Sequence, residues 1–168
     1  RAGATGLLLC IHDDQKEGFI SLVNRAFSIS IHQWVGYVAQ DAYAGRQWLR
    51  IALDVFSSRK TGLLAFNDGK WLGELAAFGL ADRRWAEGNY SGHFFHPEYQ
   101  SHYADVELTL LAQNDNCYAY EPNSVLVEID PDKDSKPVNN KDRGLFLERQ
   151  SISFNRKIKN PALLEKFQ

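Results

Sequence analysis

The stretch Trp34–Phe56, WVGYVAQDAYAGRQWLRIALDVF, sets the first expectation for the fold. It opens with an apolar, strand-like run that ends at Gln40-Asp41. Apolar residues then recur at three- and four-residue steps from Trp48 onward, which is typical of one face of a helix. A buried strand followed by a turn and an amphipathic helix is the repeating unit of α/β proteins.

The same alternation continues on both sides of this stretch. Leu7–Ile11 is a short apolar run before the acidic turn His12-Asp13-Asp14, and it predicts a buried strand. A helical stripe runs from Phe19 to Phe27. Gly62–Phe66 predicts another buried strand, closed by the turn Asn67-Asp68-Gly69-Lys70. The expected fold is therefore an α/β sandwich of the Rossmann type, with a mostly parallel sheet and helices on both faces.

The rest of the chain completes one predicted domain. A third helix is expected to begin near Tyr103, and 117–129 predicts one bent strand or two short ones. The polar segment 130–144 predicts a surface loop or linker, and 145–168 predicts a partly helical tail. A chain of 168 residues fits a single domain with its own core, so the interpretation is one domain over 1–168.

Composition excludes several functional classes. The chain has 19 Lys and Arg against 21 Asp and Glu, so its net charge of −2 gives no basic field for nucleic-acid binding. No run approaches the ~18 apolar residues of a membrane-spanning helix. Cys10 and Cys117 lie in apolar runs and are predicted to be buried free thiols of a reducing compartment. A cytoplasmic location follows, and Arg156, Lys157 and Lys159 leave open a contact with the inner face of the membrane.

Carboxylates stand at the ends of the predicted strands. Asp13 and Asp14 follow the first strand, Asp41 the second and Asp68 the third. Ligands of α/β sheets bind beyond the carboxyl ends of the strands, and hard cations prefer oxygen ligands completed by substrate phosphates. The alternatives are a helix cap for Asp13 and Asp14, and turn residues for Asp41 and Asp68. Asp105 has its own alternative, an acid at a helix start that the helix dipole favours.

Several segments, taken in order, resemble one known family. They are the acidic turn, LVNRAF (22–27), WVGYVAQD (34–41) with GRQWL (45–49), GLLAFNDGKW (62–71), LAAFGLADRRW (75–85) and YADVELTLLAQNDNCYAYEPNSV (103–125). Together they resemble the family 2 glycosyltransferases with the GT-A fold. The resemblance spans Leu7 to Glu128. It implies transfer of a sugar from a nucleotide diphosphate donor to a glycan or lipid-linked acceptor, as in bacterial surface polysaccharide synthesis.

The resemblance also implies roles for individual residues. The last acid of the family's acidic motif binds the divalent cation, Mn²⁺ or Mg²⁺, that grips the donor diphosphate, and it maps onto Asp41. The acid that opens the DVEL helix is the family's general base, and it maps onto Asp105. The donor's base and ribose are expected at Asp13 or Asp14, with Asn24 beside them.

Four further residues are expected to bind substrate. Trp71 and Trp85 offer aromatic faces on which a sugar stacks, and ordinary core packing is the alternative for both. Asp68 and Glu107 are the expected polar contacts.

The chain also departs from the family pattern. Gln40 and Ala42 flank Asp41, so the full Asp-x-Asp motif is missing, and Glu128 stands near the place of a frequent family His. The family's first nucleotide-binding strand is not visible before Leu7. An N-terminally trimmed or split enzyme is therefore expected, with self-association or a partner segment at the open sheet edge.

Two other functions remain open at this point. One is a noncatalytic nucleotide- or sugar-binding module on the same fold. The other is a nucleoside-processing enzyme similar to a deoxyribosyltransferase, which would release free base without a metal.

Overall fold

The computed structural model describes residues 9–129 and 138–167. Its helices and strands are, in chain order, α1 Phe19–Ile29, β1 Trp34–Tyr37, β2 Ala42–Ala44, α2 Trp48–Ser58, β3 Leu63–Asn67, β4 Gly79–Asp82, α3 Arg83–Glu87, α4 Ala104–Asn114, β5 Tyr118–Glu128, α5 Asn140–Ser151, α6 Ser153–Arg156 and α7 Pro161–Leu164. The predicted helical stripes in the first half correspond to α1 and α2. The helix expected near Tyr103 is α4.

The strands form one mixed sheet in the order β1-β4-β3-β5-β2. β3 and β5 are parallel, whereas β1 with β4, β3 with β4 and β2 with β5 are antiparallel. The sheet curls into a half-barrel with helices packed on it. The prediction of a mostly parallel, GT-A-like Rossmann-type sandwich is therefore wrong.

The connections explain this difference. A parallel pair needs a crossover of a dozen or more residues, usually a helix, between its strands. Residues 68–78 instead form a loop without a helix, so β4 returns directly beside β3 in the antiparallel sense. Likewise, β2 follows β1 after a short turn and pairs with the last residues of β5.

Alternate residues of β3 point into two different hydrophobic cores, as the period of a strand requires. Leu64 and Phe66 pack in one cluster with Ala52 of α2. Leu63 and Ala65 belong to the larger cluster, to which α1, α4 and α5 contribute. α2 therefore covers one face of the sheet, and the other helices pack against the opposite face.

Two predicted segments differ from the structure, the buried strand Leu7–Ile11 and the loop 130–144. Leu9, Cys10 and Ile11 belong to no strand, while the first two residues of the predicted strand lie outside the described residues. Of the predicted loop 130–144, residues 130–137 also lie outside them. α5 begins within the rest of that loop, because the Asn139 side chain accepts hydrogen bonds from two backbone amides of its first turn.

Both cysteines are free thiols, but their environments differ. Cys117 is buried, as predicted, whereas Cys10 is exposed, so the prediction of a buried Cys10 is wrong. In the part of the chain that the structure describes, no helix combines the length and apolar character needed to cross a membrane.

Candidate functional site

Three strands end at the same edge of the sheet. β1 and β3 both run antiparallel to β4, and β5 runs parallel to β3, so all three point in one direction. Asp41 follows β1, Asp68 follows β3 and Glu128 ends β5. α4 leads back into β5 through a short turn, and Asp105 lies in its first turn. We call the edge that carries Asp41, Asp68, Asp105 and Glu128 the carboxyl edge.

Asp41 carries an unsatisfied carboxylate oxygen at this edge. Its backbone carbonyl accepts a hydrogen bond from the amide of Ile129 at 3.2 Å, and the pairing of Ala42 with Glu128 sets Asp41 beside the end of β5. Its Oδ1 is buried and has no hydrogen-bond partner among residues 9–129 and 138–167. A buried carboxylate oxygen without a donor is costly, so Oδ1 is the strongest candidate for a ligand atom at the carboxyl edge.

A single carboxylate such as Asp41 fits a cation that is shared with a bound substrate, and does not fit a cation held by protein ligands alone. Within the described ranges, no group of three or more His, Cys, Asp or Glu side chains is placed to hold a metal ion. Mg²⁺ is commonly held by one or two carboxylates together with substrate phosphates and water, without a protein cage. Asp41 Oδ1 therefore fits a divalent cation that binds together with a diphosphate.

Three hydrogen bonds, each between a side-chain hydroxyl and a backbone group, connect Asp105 with Tyr37 at the end of β1. The hydroxyl of Thr109 donates to the Asp105 carbonyl at 2.7 Å and accepts from the amide of Ala76 at 3.1 Å. The Ala76 carbonyl accepts from the hydroxyl of Tyr37, the last residue of β1. Burial raises the pKa of Tyr37 well above its ordinary value, and the nearby charge of Asp105 raises it further. Asp105 thus lies beside the carboxyl end of β1, on the same edge as Asp41.

Asp68 and Trp71 have contacts that a folded turn explains. Asp68 is buried, and its Oδ1 accepts hydrogen bonds from the amides of Lys70 and Trp71, both at 2.9 Å. The Trp71 ring is partly buried and meets Phe167 edge to face, with ring centroids 6.3 Å apart. Asp68 therefore lies at the carboxyl edge, but two backbone amides already donate to its Oδ1.

Glu107 lies inside the core. Its side chain is fully buried, and Arg149 donates to its Oε2 at 2.7 Å and to its Oε1 at 2.6 Å. The Tyr99 hydroxyl donates a third bond at 2.9 Å. These three bonds favour a structural ion pair over the expected contact with substrate.

Trp85 lies at the opposite end of the sheet. Its Nε1 donates to Asp115 at 3.0 Å, just before the start of β5. Its ring lies so close to Gly62, which precedes β3, that a Cβ there would stand 2.8 Å from it. The structure therefore does not bring Trp85 together with Asp41 and Asp105.

The three residues expected to bind the donor have different environments. Asp13 accepts from the amides of Glu17 at 2.7 Å and Gly18 at 3.0 Å, and so shapes the entry to α1. Asp14 is exposed. Asn24 is buried, and its side chain accepts from the backbone amides of Phe94 and Phe95 and donates to the carbonyl of Phe95, in the loop before α4. Asn24 thus holds a loop in place, and its amide is occupied.

The structure also assigns roles that the sequence did not reveal. Asp142 is fully buried and accepts hydrogen bonds from residues 100–102, the segment that leads into α4. Arg149 neutralises Glu107. Asp142 falls in the segment predicted to be a loop. In the sequence, Asp142 could be singled out only through the pattern Asn139-x-x-Asp142, in which Asn139 caps α5 and Asp142 lies in the first turn.

Among the described residues, the two end strands of the sheet are β1 and β2. β1 ends the sheet order, and Trp34 and Val38 at this edge are partly exposed. A groove of about 590 Å³ lies between β1 and α2, lined by residues that include Trp48 and Leu53. The prediction of self-association or a partner segment concerned an edge beside a Leu7–Ile11 strand, and residues 9–11 form no strand. No observation on the described residues tests that prediction.

When the chain is compared with protein-family models, with curated proteins and with solved structures, none of the three comparisons gives a match.

Proposed function

We propose that this chain is a metal-dependent, inverting glycosyltransferase that moves a sugar from a nucleotide diphosphate donor to a hydroxyl acceptor. The observation that carries the proposal is the buried, unpartnered Oδ1 of Asp41, at the same edge of the sheet as Asp105. The segments that resemble family 2 glycosyltransferases point to the same two residues, Asp41 and Asp105, although the sheet does not have the GT-A arrangement that this resemblance implied.

In this proposal Asp41 holds the donor diphosphate through a divalent cation, Mn²⁺ or Mg²⁺. When bound there, such a cation would supply charge neutralisation of the leaving nucleoside diphosphate, and Asp41 would hold it. Asp41 contributes a single carboxylate, so a cation held there would need diphosphate oxygens and water as its other ligands. Donor and cation are therefore expected to bind cooperatively.

Asp105 acts on the acceptor. Its carboxylate takes the proton of the acceptor hydroxyl while that oxygen forms a bond to the anomeric carbon of the sugar. The bond between the anomeric carbon and the diphosphate oxygen breaks on the opposite face, and the electron pair leaves with the nucleoside diphosphate. One displacement of this kind inverts the configuration at the anomeric carbon.

The class of acceptor and the location follow from the same proposal. A glycan or lipid-linked acceptor of a bacterial surface polysaccharide is reached from the cytoplasmic side. The free thiols of Cys10 and Cys117 fit a reducing compartment. The exposed Arg156 and Lys159 offer a contact with the anionic inner face of the membrane.

The test is turnover of donor sugars. The chain is incubated with a panel of nucleoside diphosphate sugars in Mn²⁺ or in chelator, and release of nucleoside diphosphate is measured. We expect release from one class of donor, in Mn²⁺ only, and loss of release in Asp41→Asn. Asp54→Asn, a change of an exposed acid on α2, is the matched control and should keep full activity.

Other outcomes identify the alternatives. Metal-dependent binding of a donor without any release would indicate a noncatalytic nucleotide- or sugar-binding module. Release of free base from nucleosides in chelator would indicate a nucleoside-processing enzyme. Either result would contradict the transferase proposal.

A further inference from the structure

A buried carboxylate outside the carboxyl edge organises the segment that precedes α4. Asp142, in the first turn of α5, has no exposed surface. Its Oδ1 accepts from the amide of Gln100 at 2.9 Å, and its Oδ2 accepts from the amides of Ser101 at 2.9 Å and His102 at 2.8 Å. The Ser101 hydroxyl adds a bond to Oδ2 at 3.3 Å.

This arrangement requires a carboxylate. A buried charge is tolerated only where hydrogen bonds replace its lost hydration, and bonds to an ionised acceptor are the stronger kind. Three consecutive amides from 100–102 supply those bonds to both oxygens of Asp142. Asparagine has one acceptor oxygen and an NH₂ group that cannot accept, so it cannot serve both sides of this contact.

Residues 100–102, which we call the clamped segment because Asp142 accepts from their amides, connect three helices. The Gln100 carbonyl accepts from the amide of Ile20 in α1 at 3.3 Å. Tyr103, which follows the clamped segment, stacks on Phe146 of α5 with ring centroids 4.9 Å apart. Tyr103 has a left-handed backbone, with φ of 65°, and Ala104 begins α4 directly after it.

The left-handed backbone of Tyr103 shows why the hydrogen bonds between Asp142 and the clamped segment are needed. A bulky residue rarely adopts positive φ unless the surrounding structure imposes it. The contacts on both sides of Tyr103 come from α5, through Asp142 before it and Phe146 on its ring. The direction in which α4 starts, and hence the place of Asp105, therefore depends on α5.

We propose that Asp142 is a positioning residue for Asp105. It holds 100–102 so that the first turn of α4 presents the Asp105 carboxylate at the carboxyl edge. This inference rests on the proposed transferase function, in which Asp105 meets the acceptor hydroxyl. Asp142 itself touches neither the donor nor the acceptor.

The test compares Asp142→Asn with wild type in the full chain. Hydrogen exchange measures the amides of 100–102, and steady-state kinetics measures sugar transfer to the acceptor. We expect faster exchange at these amides and a fall of about 10²-fold in kcat, since a displacement of about 1 Å in a reacting group has that effect. The KM for the donor should stay unchanged, because Asp41 is untouched.

Two further variants keep the test decisive. Glu148→Gln changes an exposed carboxylate on the same helix and should alter neither exchange nor kcat. Should Asp142→Asn fail to fold, Ser101→Ala removes the hydroxyl bond to Asp142, together with the 2.9 Å contact of the same hydroxyl with His102 Nδ1, and should lower kcat in the same direction by a smaller factor. A value of kcat equal to wild type in the folded variant would overturn the inference.

The outcomes also separate the two proposals. An active wild type with an equally active Asp142→Asn refutes the positioning role and leaves the transferase function standing. A wild type that transfers no sugar from any donor refutes the transferase function, and the positioning role with it. Raised donor KM with unchanged kcat would place Asp142 in donor binding, against the inference.

Discussion

Arg149 bonds both carboxylate oxygens of Glu107 in the core, at 2.7 and 2.6 Å, and so joins α5 to α4. The Tyr99 hydroxyl completes the cluster at 2.9 Å. Glu107 lies only two residues from Asp105 along the chain, yet its side chain is fully buried. α4 thus presents one acid to the carboxyl edge and uses the next to anchor itself.

The first prediction concerns this ion pair. Glu107→Gln leaves the buried guanidinium of Arg149 without a counter-charge, and such a loss costs about 3–5 kcal/mol in the free energy of unfolding. Denaturant unfolding measures it. The double change Glu107→Leu with Arg149→Met removes both charges and should cost less than Glu107→Gln alone. A single variant as stable as wild type would contradict the structural role.

The helices α1 and α2 are predictable from local pattern, and the sheet is not. Apolar residues at helical spacing predict α1 and α2 because that spacing alone decides which face is buried. A short buried strand such as β3 shows the same apolar run whether its neighbours are parallel or antiparallel. The direction of β4 depends on the loop 68–78, whose apolar run has no decisive period.

The candidate site is predictable only in part. Acids after β1 and β3 share an edge because these strands point the same way, and the antiparallel β4 between them does not alter that. The partners of Glu107 and Asn24 cannot be predicted in this way. Arg149 is 42 residues from Glu107, and the loop that Asn24 binds is 70 residues away. Nothing in one sequence relates residues at such separations.

A second prediction tests Asp105. Asp105→Asn nearly preserves the shape of the side chain but removes a base, so transfer to acceptor should fall by about 10²–10⁴-fold. Donor affinity and the melting temperature should barely change. Asp115→Asn, at the other end of α4, is the matched control and should keep transfer. Full transfer in Asp105→Asn would show that another group accepts the proton.

A third prediction concerns the pH dependence of stability at His96. Burial lowers the pKa of His96 below its ordinary value, and the positive charge of Arg149 lowers it further. The negative charges of Glu107 and Glu98 oppose this lowering of the pKa, and the charge of His93 adds to it. His96 therefore takes up a proton at higher pH in the unfolded chain than in the folded chain. The contribution of neutral His96 to the free energy of unfolding is fully present above about pH 6.5 and is lost as the pH drops toward the folded pKa.

The measurement compares melting temperatures at about pH 7.5 and about pH 5. Wild type should lose more between these values than His96→Gln, which has no proton to gain. An equal loss in both proteins would show that other groups cause the acid sensitivity.

A fourth prediction distinguishes the two thiols. Burial raises the pKa of Cys117 to about 11, and the charge of Asp115 contributes, whereas Cys10 is exposed. Thiolates are the reactive form, so a thiol-specific reagent near neutral pH should modify one cysteine per native chain. Unfolding should make the second cysteine reactive toward the same reagent. Cys10→Ser should leave no fast thiol in the native protein, and two fast thiols in the wild type would contradict the buried position of Cys117.

The central claim is that Asp41 binds a cation together with a diphosphate. Its most direct test is the melting temperature with a nucleoside diphosphate, in Mn²⁺ and in chelator, for wild type, Asp41→Asn and the Asp54→Asn control. A ligand at a hundredfold its Kd stabilises a protein by about 2.7 kcal/mol. The account predicts a larger shift in Mn²⁺ than in chelator for wild type and Asp54→Asn, and equal shifts for Asp41→Asn. Equal shifts with and without metal in the wild type would contradict it.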